Sequence, residues 1–174
     1  IQSVGAWTIP IYPSLTEQDI LQIFRDCQPV VCVASTLEQL LKLRGVRKAV
    51  LSIRQILILE TAPLLSDGEQ SWTQAIQQGI ELQHRFRELR ERRLQQLEAD
   101  HPATIIYTSG TTGEPKGVML SHRNFLSNAA SCLNAIPIRD GDVHLSFLPL
   151  SHVFERMAGW YLMFMAGASV GYAE

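Results

Sequence analysis

The first part of the chain alternates between apolar residues at helical spacing and short continuous apolar runs. Residues 6–12, Ala-Trp-Thr-Ile-Pro-Ile-Tyr, read as a short strand in which Pro10 must sit where no ladder N–H is needed. After a turn at Pro13 and Ser14, either Ser14 with Glu17 or Thr16 with Asp19 has the spacing of a capping box. Ile20, Ile23, Phe24 and Cys27 then recur on one helical face until Pro29. The β-branched run 30–34 predicts a strand covered on both faces. Ser35 with Glu38 repeats the cap signature, Leu37, Leu40 and Leu41 give the next helix a buried side, and Gly45 suits the position just past its end. Residues 55–59 form another buried strand. Strand, helix, strand, helix, strand in succession predicts an α/β fold in layers, with a largely parallel sheet and flanking helices.

The pattern then changes. A polar, turn-rich stretch at 63–70 leads into a long helix starting at Ser71, capped by Gln74 and running to about Ala99. Its second half sets Glu81, Glu88, Glu91, Glu98 and Asp100 against Arg85, Arg87, Arg90, Arg92 and Arg93, five charges of each sign. Glu81 with Arg85 and Glu88 with Arg92 are four apart in the favourable orientation, so the helix reads as solvated. Residues 103–107 read as a buried strand, and Ser121 as the cap of a helix with Phe125, Ala129, Cys132 and Leu133 on one face. A turn at 139–142 and a strand at 143–147 follow. The uncharged stretch 157–173 lies at the lower limit for crossing about 30 Å of hydrocarbon. Gly159, Gly167 and Gly171 punctuate it, so it is read as a buried helix ending near Gly167 and then a strand.

Composition narrows the class without naming it. The 174 residues are 46% hydrophobic and 18% charged, enough for an ordinary core, and a formal charge of −2 gives no electrostatic case for nucleic acid. The trio Arg44, Arg47 and Lys48 is too small to argue for an anionic partner and is read as a solvated loop. Cys27, Cys32 and Cys132 lack metal-ligand or disulfide-framework spacing and are read as small core residues in a reducing compartment. The chain starts at Ile1 with no visible signal peptide and stops at Glu174, and it is expected to be cut from something longer.

The chemistry concentrates in residues 107–117, Tyr-Thr-Ser-Gly-Thr-Thr-Gly-Glu-Pro-Lys-Gly. Gly110 and Gly113 allow backbone angles closed to residues with a Cβ, so that successive amides can turn inward as an anion nest. Thr108, Ser109, Thr111 and Thr112 add hydroxyl donors, and Lys116 adds a mobile cation suited to phosphate. The order is neither a Walker A loop nor the Gly-x-Gly-x-x-Gly fingerprint. With Gly117-Val-Met-Leu-Ser-His122 it closely resembles the signature loop of the adenylate-forming (AMP-binding) superfamily, whose members include acyl-CoA synthetases, firefly-type luciferases and peptide-synthetase adenylation domains. A second block, 148–156, Leu-Pro-Leu-Ser-His-Val-Phe-Glu-Arg, resembles that family's acyl-site segment in the form found in long-chain fatty acyl-CoA and acyl-carrier-protein synthetases.

That resemblance implies a single partial AMP-binding domain over 1–174, belonging to the N-terminal domain of such an enzyme. Residues 1–100 would be an upstream α/β part with the long connecting helix, and 101–174 would carry the phosphate loop and acyl site. It implies that Thr108, Ser109, Gly110, Thr111, Thr112, Gly113 and Lys116 hold the β- and γ-phosphates of ATP, that Thr108 approaches Mg²⁺, and that His152 borders the acyl-adenylate. Read alone, His152 is better explained as a helix-start residue bonded to backbone, and its spacing after the loop motif is what favours the site reading.

The implied reaction is ATP-dependent activation of a long-chain fatty acid followed by thioester formation with coenzyme A. An acyl carrier protein as acceptor, or another acid-activating ligase, remains the alternative. The family's later adenine-, ribose- and Mg²⁺-binding blocks and its C-terminal catalytic Lys have no counterpart in these residues, so the chain is expected to be inactive alone. The expected setting is cytoplasmic, with peripheral membrane association left open and no nucleic-acid partner. A non-catalytic phosphate-binding module and a structural fragment are the readings from other classes.

Overall fold

The computed structural model describes residues 1–109 and 114–173, with the side chain of Ser109 left out. Two compact units emerge: Pro13–Leu89, and Ile1–Tyr12 together with Arg90–Glu174.

In the first unit, β1 (Val31–Ala34), β2 (Gln55–Ile58) and β3 (Glu69–Ser71) form a parallel sheet in that order. Helix α1 (Glu17–Cys27) starts at the second of the two predicted caps: Thr16 Oγ1 accepts from the Asp19 amide and Asp19 Oδ2 accepts from the Thr16 amide. Ile20, Ile23 and Phe24 are its buried face, and Gln28 closes it in the left-handed region at φ 46°. Helix α2 (Leu37–Arg47) packs on β1 and β2. Its buried residues are Leu40, Leu43 and Val46, whereas Leu41 is exposed.

Four expectations need correction here. Thr36, not Ser35, caps α2, because its hydroxyl accepts from the Gln39 amide while Gln39 returns a bond to the Ser35 N–H. Gly45 lies inside the last turn rather than beyond it: the Glu17 carboxylate fills the place where its Cβ would be, and Lys48 is the cap. Strand β1 is covered on one face only: Cys32 and Ala34 are buried, whereas Val31 and Val33 on the other face stay about half exposed. Two of the basic trio are not in a solvated loop, while Lys48, just past the helix, is exposed. Arg44 and Arg47 stand on α2, where Arg44 grips Glu69 with two bonds of 2.8 and 2.7 Å and Arg47 Nη1 donates to the Asp67 carbonyl at 2.7 Å. Those contacts order the polar stretch before β3, a strand that no apolar periodicity announces.

Helix α3 (Trp72–Gln95) is opened by a reciprocal pair between Ser71 and Gln74 and buries none of its residues, as the balanced charges imply. It stops short of the expected Ala99.

In the second unit, β4 (Pro102–Ser109) and β5 (Pro115–Ser121) form an antiparallel hairpin. Residues 6–12 supply no full strand, only one parallel bridge from Thr8 to Thr104, with Thr8 N–H on Ala103 O and Ile105 N–H on Thr8 O. Ser121 and Asn124 form the capping box of α4 (His122–Ala135), which buries Phe125 and Ala129. Strands β6 (Val143–Ser146) and β7 (Ser169–Tyr172) are parallel. Between them a π-helical segment, Glu155–Leu162, runs into α5 (Met163–Ala166), which Gly167 closes at φ 74°. Ala129, Leu162 and Met163 form the core of this part, flanked by Cys132, Leu133, Ile138, Met157, Ala168 and Val170. Among the described residues no helix is long and apolar enough to cross a membrane.

Candidate functional site

Strand β4 carries the start of the expected phosphate loop and β5 its end. The register pairs Thr108 with Lys116 and Ser109 with Pro115. Directly opposed residues of an antiparallel pair project to one face. Thr108 and Lys116 are therefore neighbours across the hairpin, both exposed. Of the predicted phosphate set, Gly110, Thr111, Thr112 and Gly113 lie outside the described residues, as does the side chain of Ser109.

Residue 117 has to be small for this hairpin to close. A Cβ on Gly117 would stand 2.9 Å from Ile105 Cγ2 and 3.1 Å from Tyr107 Cζ, because both side chains cover the backbone there. The base of the hairpin is tied to α4 by Arg123, whose Nε and Nη2 donate to the two carboxylate oxygens of Asp100 at 2.5 and 2.9 Å. That bidentate bond holds the Asp100 carboxyl below its ordinary pKa and raises the Arg123 guanidinium.

His152 occupies the turn before the π-helical segment. Its N–H donates to the Pro149 carbonyl, and its Nδ1 accepts from the Phe154 amide at 3.2 Å. With Nδ1 occupied as an acceptor, the neutral ring carries its proton on Nε2, so the side chain offers a donor to a ligand. The residue thus makes the backbone contact expected of a helix-start histidine while leaving its second nitrogen exposed.

The last two residues of this block, Glu155 and Arg156, turn towards the protein, whereas Val153 and Phe154 are exposed. Glu155 is buried, with Oε1 3.2 Å from His144 Nε2, and it fits because Gly159 has no side chain to occupy the same space. Arg156 reaches β4, which sequence reasoning did not anticipate: Nη2 donates to Thr8 Oγ1 at 2.6 Å and Nη1 to Thr104 Oγ1 at 3.1 Å. Its position in the quoted block was the available signal, but helical spacing gives no hint of a partner 148 residues away.

For a phosphate ligand the paired hydroxyl and ammonium of Thr108 and Lys116 are a suitable donor set. No cluster of three His, Cys, Asp or Glu able to hold a metal occurs among the described residues. A magnesium ion here would depend on phosphate oxygens, with Thr108 as the chain's own oxygen donor.

Comparison with known proteins bears on the family and the fold. A chloroplastic long-chain-fatty-acid–[acyl-carrier-protein] ligase of Arabidopsis thaliana is 33% identical over 100% of this chain and 25% of its own length. The peroxisomal long chain acyl-CoA synthetase 6 of the same plant is 33% identical over 96% of this chain and 24% of its own. The chain therefore spans about a quarter of the length of these curated relatives. Among solved structures, an anthranilate CoA ligase in complex with anthranoyl-AMP superposes with a TM-score of 0.73 at 21% identity, covering 95% of this chain and 30% of the ligase. ATP-bound MatB from Rhodopseudomonas palustris gives 0.67 at 20% identity, covering 97% and 30%. These likenesses establish the fold as that of adenylate-forming enzymes. The family model described as AMP-binding enzyme matches residues 1–174 from end to end, and the chain belongs to that family.

Proposed function

We propose that this chain forms the phosphate-loop and acyl-site part of a ligase that activates a long-chain fatty acid with ATP and transfers the acyl group to the thiol of coenzyme A. The observation that carries the reading is the pairing of Lys116 with Thr108 at the mouth of the Thr-Ser-Gly-Thr-Thr-Gly loop. The names of the relatives support the acid and the thiol acceptor.

In the first step a carboxylate oxygen attacks the α-phosphorus of ATP, the bond to the β-phosphate oxygen breaks, and pyrophosphate leaves. In the second the thiol sulfur attacks the acyl carbon, its proton is lost, and AMP departs. The first step leaves negative charge on the departing pyrophosphate, which the Lys116 ammonium and the Thr108 hydroxyl are suited to stabilise. Magnesium, carried on the phosphates, would add to that stabilisation. His152, with a free Nε2–H, is suited to donate to an oxygen of the acyl-adenylate.

The test is ATP–pyrophosphate exchange by the full-length protein that carries this chain, over carboxylic acids of graded length. Exchange that requires ATP, Mg²⁺ and a long-chain acid is expected. Exchange with only aryl or amino acids would remove the fatty-acid assignment, and none with any acid would remove the ligase. An acyl carrier protein is the second acceptor to assay, because one of the relatives is named for it.

A further inference from the structure

Arg156 joins two pieces of chain that the reaction needs in fixed relation. Its amide donates to the His152 carbonyl at 3.0 Å, so it stands one helical turn after the candidate acyl-site residue. Its guanidinium fork spans two hydroxyls, Thr8 Oγ1 at 2.6 Å and Thr104 Oγ1 at 3.1 Å, and lies 5.9 Å from the Phe125 ring centroid. Both hydroxyls have committed their own protons. Thr8 donates to Ala103 O at 3.3 Å and Thr104 donates to Thr8 O at 2.5 Å, which leaves lone pairs for the cation. Thr104 is fully buried on β4, four residues before Thr108 and therefore on the same strand face, about 13 Å along the strand.

We propose that Arg156 is a positioning residue for adenylation: it fixes the turn bearing His152 against β4 and so sets the spacing between the acyl side of the site and the phosphate loop. The proposal rests on the ligase reading above. A planar fork is needed because two hydroxyls on neighbouring backbone segments must be held at once. A lysine ammonium reaches one of them as a point charge but does not reproduce that paired geometry. Loss of the clamp leaves Thr108, Lys116 and His152 chemically intact but loosens the distance between them, and misplacement of about 1 Å costs up to about a hundredfold in rate.

The experiment measures kcat and KM for ATP and fatty acid in pyrophosphate exchange, using the full-length enzyme as wild type, Arg156→Met, Arg156→Lys, Thr8→Val and the double variant Arg156→Met with Thr8→Val. Thermal melting serves as the folding control. The expected result is a fall in kcat of roughly tenfold or more for Arg156→Met with both KM values nearly unchanged. Arg156→Lys should recover little of it. Thr8→Val should show a smaller loss that disappears in the Arg156→Met background, since one interaction is being removed twice. Should Arg156→Met fail to fold, Arg156→Lys and Thr8→Val carry the same comparison. Wild-type kcat in those folded variants overturns the proposal, as does a loss confined to melting temperature or fully additive in the double variant. An enzyme whose wild type exchanges with no acid overturns the ligase reading and this proposal with it, whereas an active wild type with indifferent variants removes the role of Arg156 alone.

Discussion

At the scale of single residues, the site depends on a few groups whose environments differ sharply. Lys116 is exposed at the end of β5 opposite Thr108, where its charge has little to do in the folded core. Lys116→Ala in the full-length enzyme should therefore slow pyrophosphate exchange by about tenfold to a hundredfold, the consequence of losing roughly 1.5–3 kcal/mol of charged hydrogen bonding, with the melting temperature within about a degree of wild type. Equal rates would remove Lys116 from the phosphate site, and a large drop in melting temperature would make it a structural residue. Cys32 shows the opposite environment. Burial, with a smaller contribution from Cys27, pushes its thiol up to about 12, which makes it an inert core side chain as its sequence context suggested.

At the scale of elements, the hairpin β4–β5 is where a single missing side chain matters most. Gly117→Ala should destabilise the protein by about 1–3 kcal/mol, because the new methyl meets Ile105 and Tyr107 in a space they already fill. Urea unfolding of the variant checks this, and an unchanged midpoint would mean that the two side chains move aside freely. The same hairpin illustrates what the sequence discloses and what it withholds. Helices α1, α3 and α4 were legible because cap and period are local: Thr16 with Asp19, Ser71 with Gln74, and Ser121 before Phe125 and Ala129. The family was legible because the residue order of 107–117 is specific. Strand β5 was not, since four of its seven residues are exposed and its Gly117 is poor strand material, so only pairing with β4 makes it a strand. Strand β3 escaped for the same reason, being held by Arg44 and Arg47 from another element rather than by any apolar pattern of its own. The Arg156 clamp was likewise invisible, because its partners come from distant parts of the chain.

At the scale of the whole molecule, a carboxylate whose ionised form is held by an arginine occurs in each compact unit, and both contribute to how stability responds to acid. In the unit Pro13–Leu89, hydrogen bonds from Arg44, together with the Ser66 amide and the charge of Arg47, outweigh burial and keep the Glu69 carboxyl below its ordinary value of 4.5. In the other unit, Arg123 does the same for the exposed Asp100, ordinarily 3.8. The folded pKa is the lower one in both cases, so the unfolded chain takes up protons first as pH falls. The stabilisation is complete above the ordinary carboxylate values and is lost as pH drops through them towards the folded values. The greater share should come from Glu69, whose side chain is 2% exposed, because Asp100, at 69%, is screened by solvent. Melting temperature followed from about pH 6 to about pH 3 should therefore fall more steeply for wild type than for Glu69→Gln, with the gap between the two curves narrowing towards the acid end. Asp100→Asn should leave the slope almost unchanged. Parallel curves for wild type and Glu69→Gln across that range would show that the Arg44–Glu69 pair has no part in the acid response, and the bonds ordering the approach to β3 would then be independent of its charge.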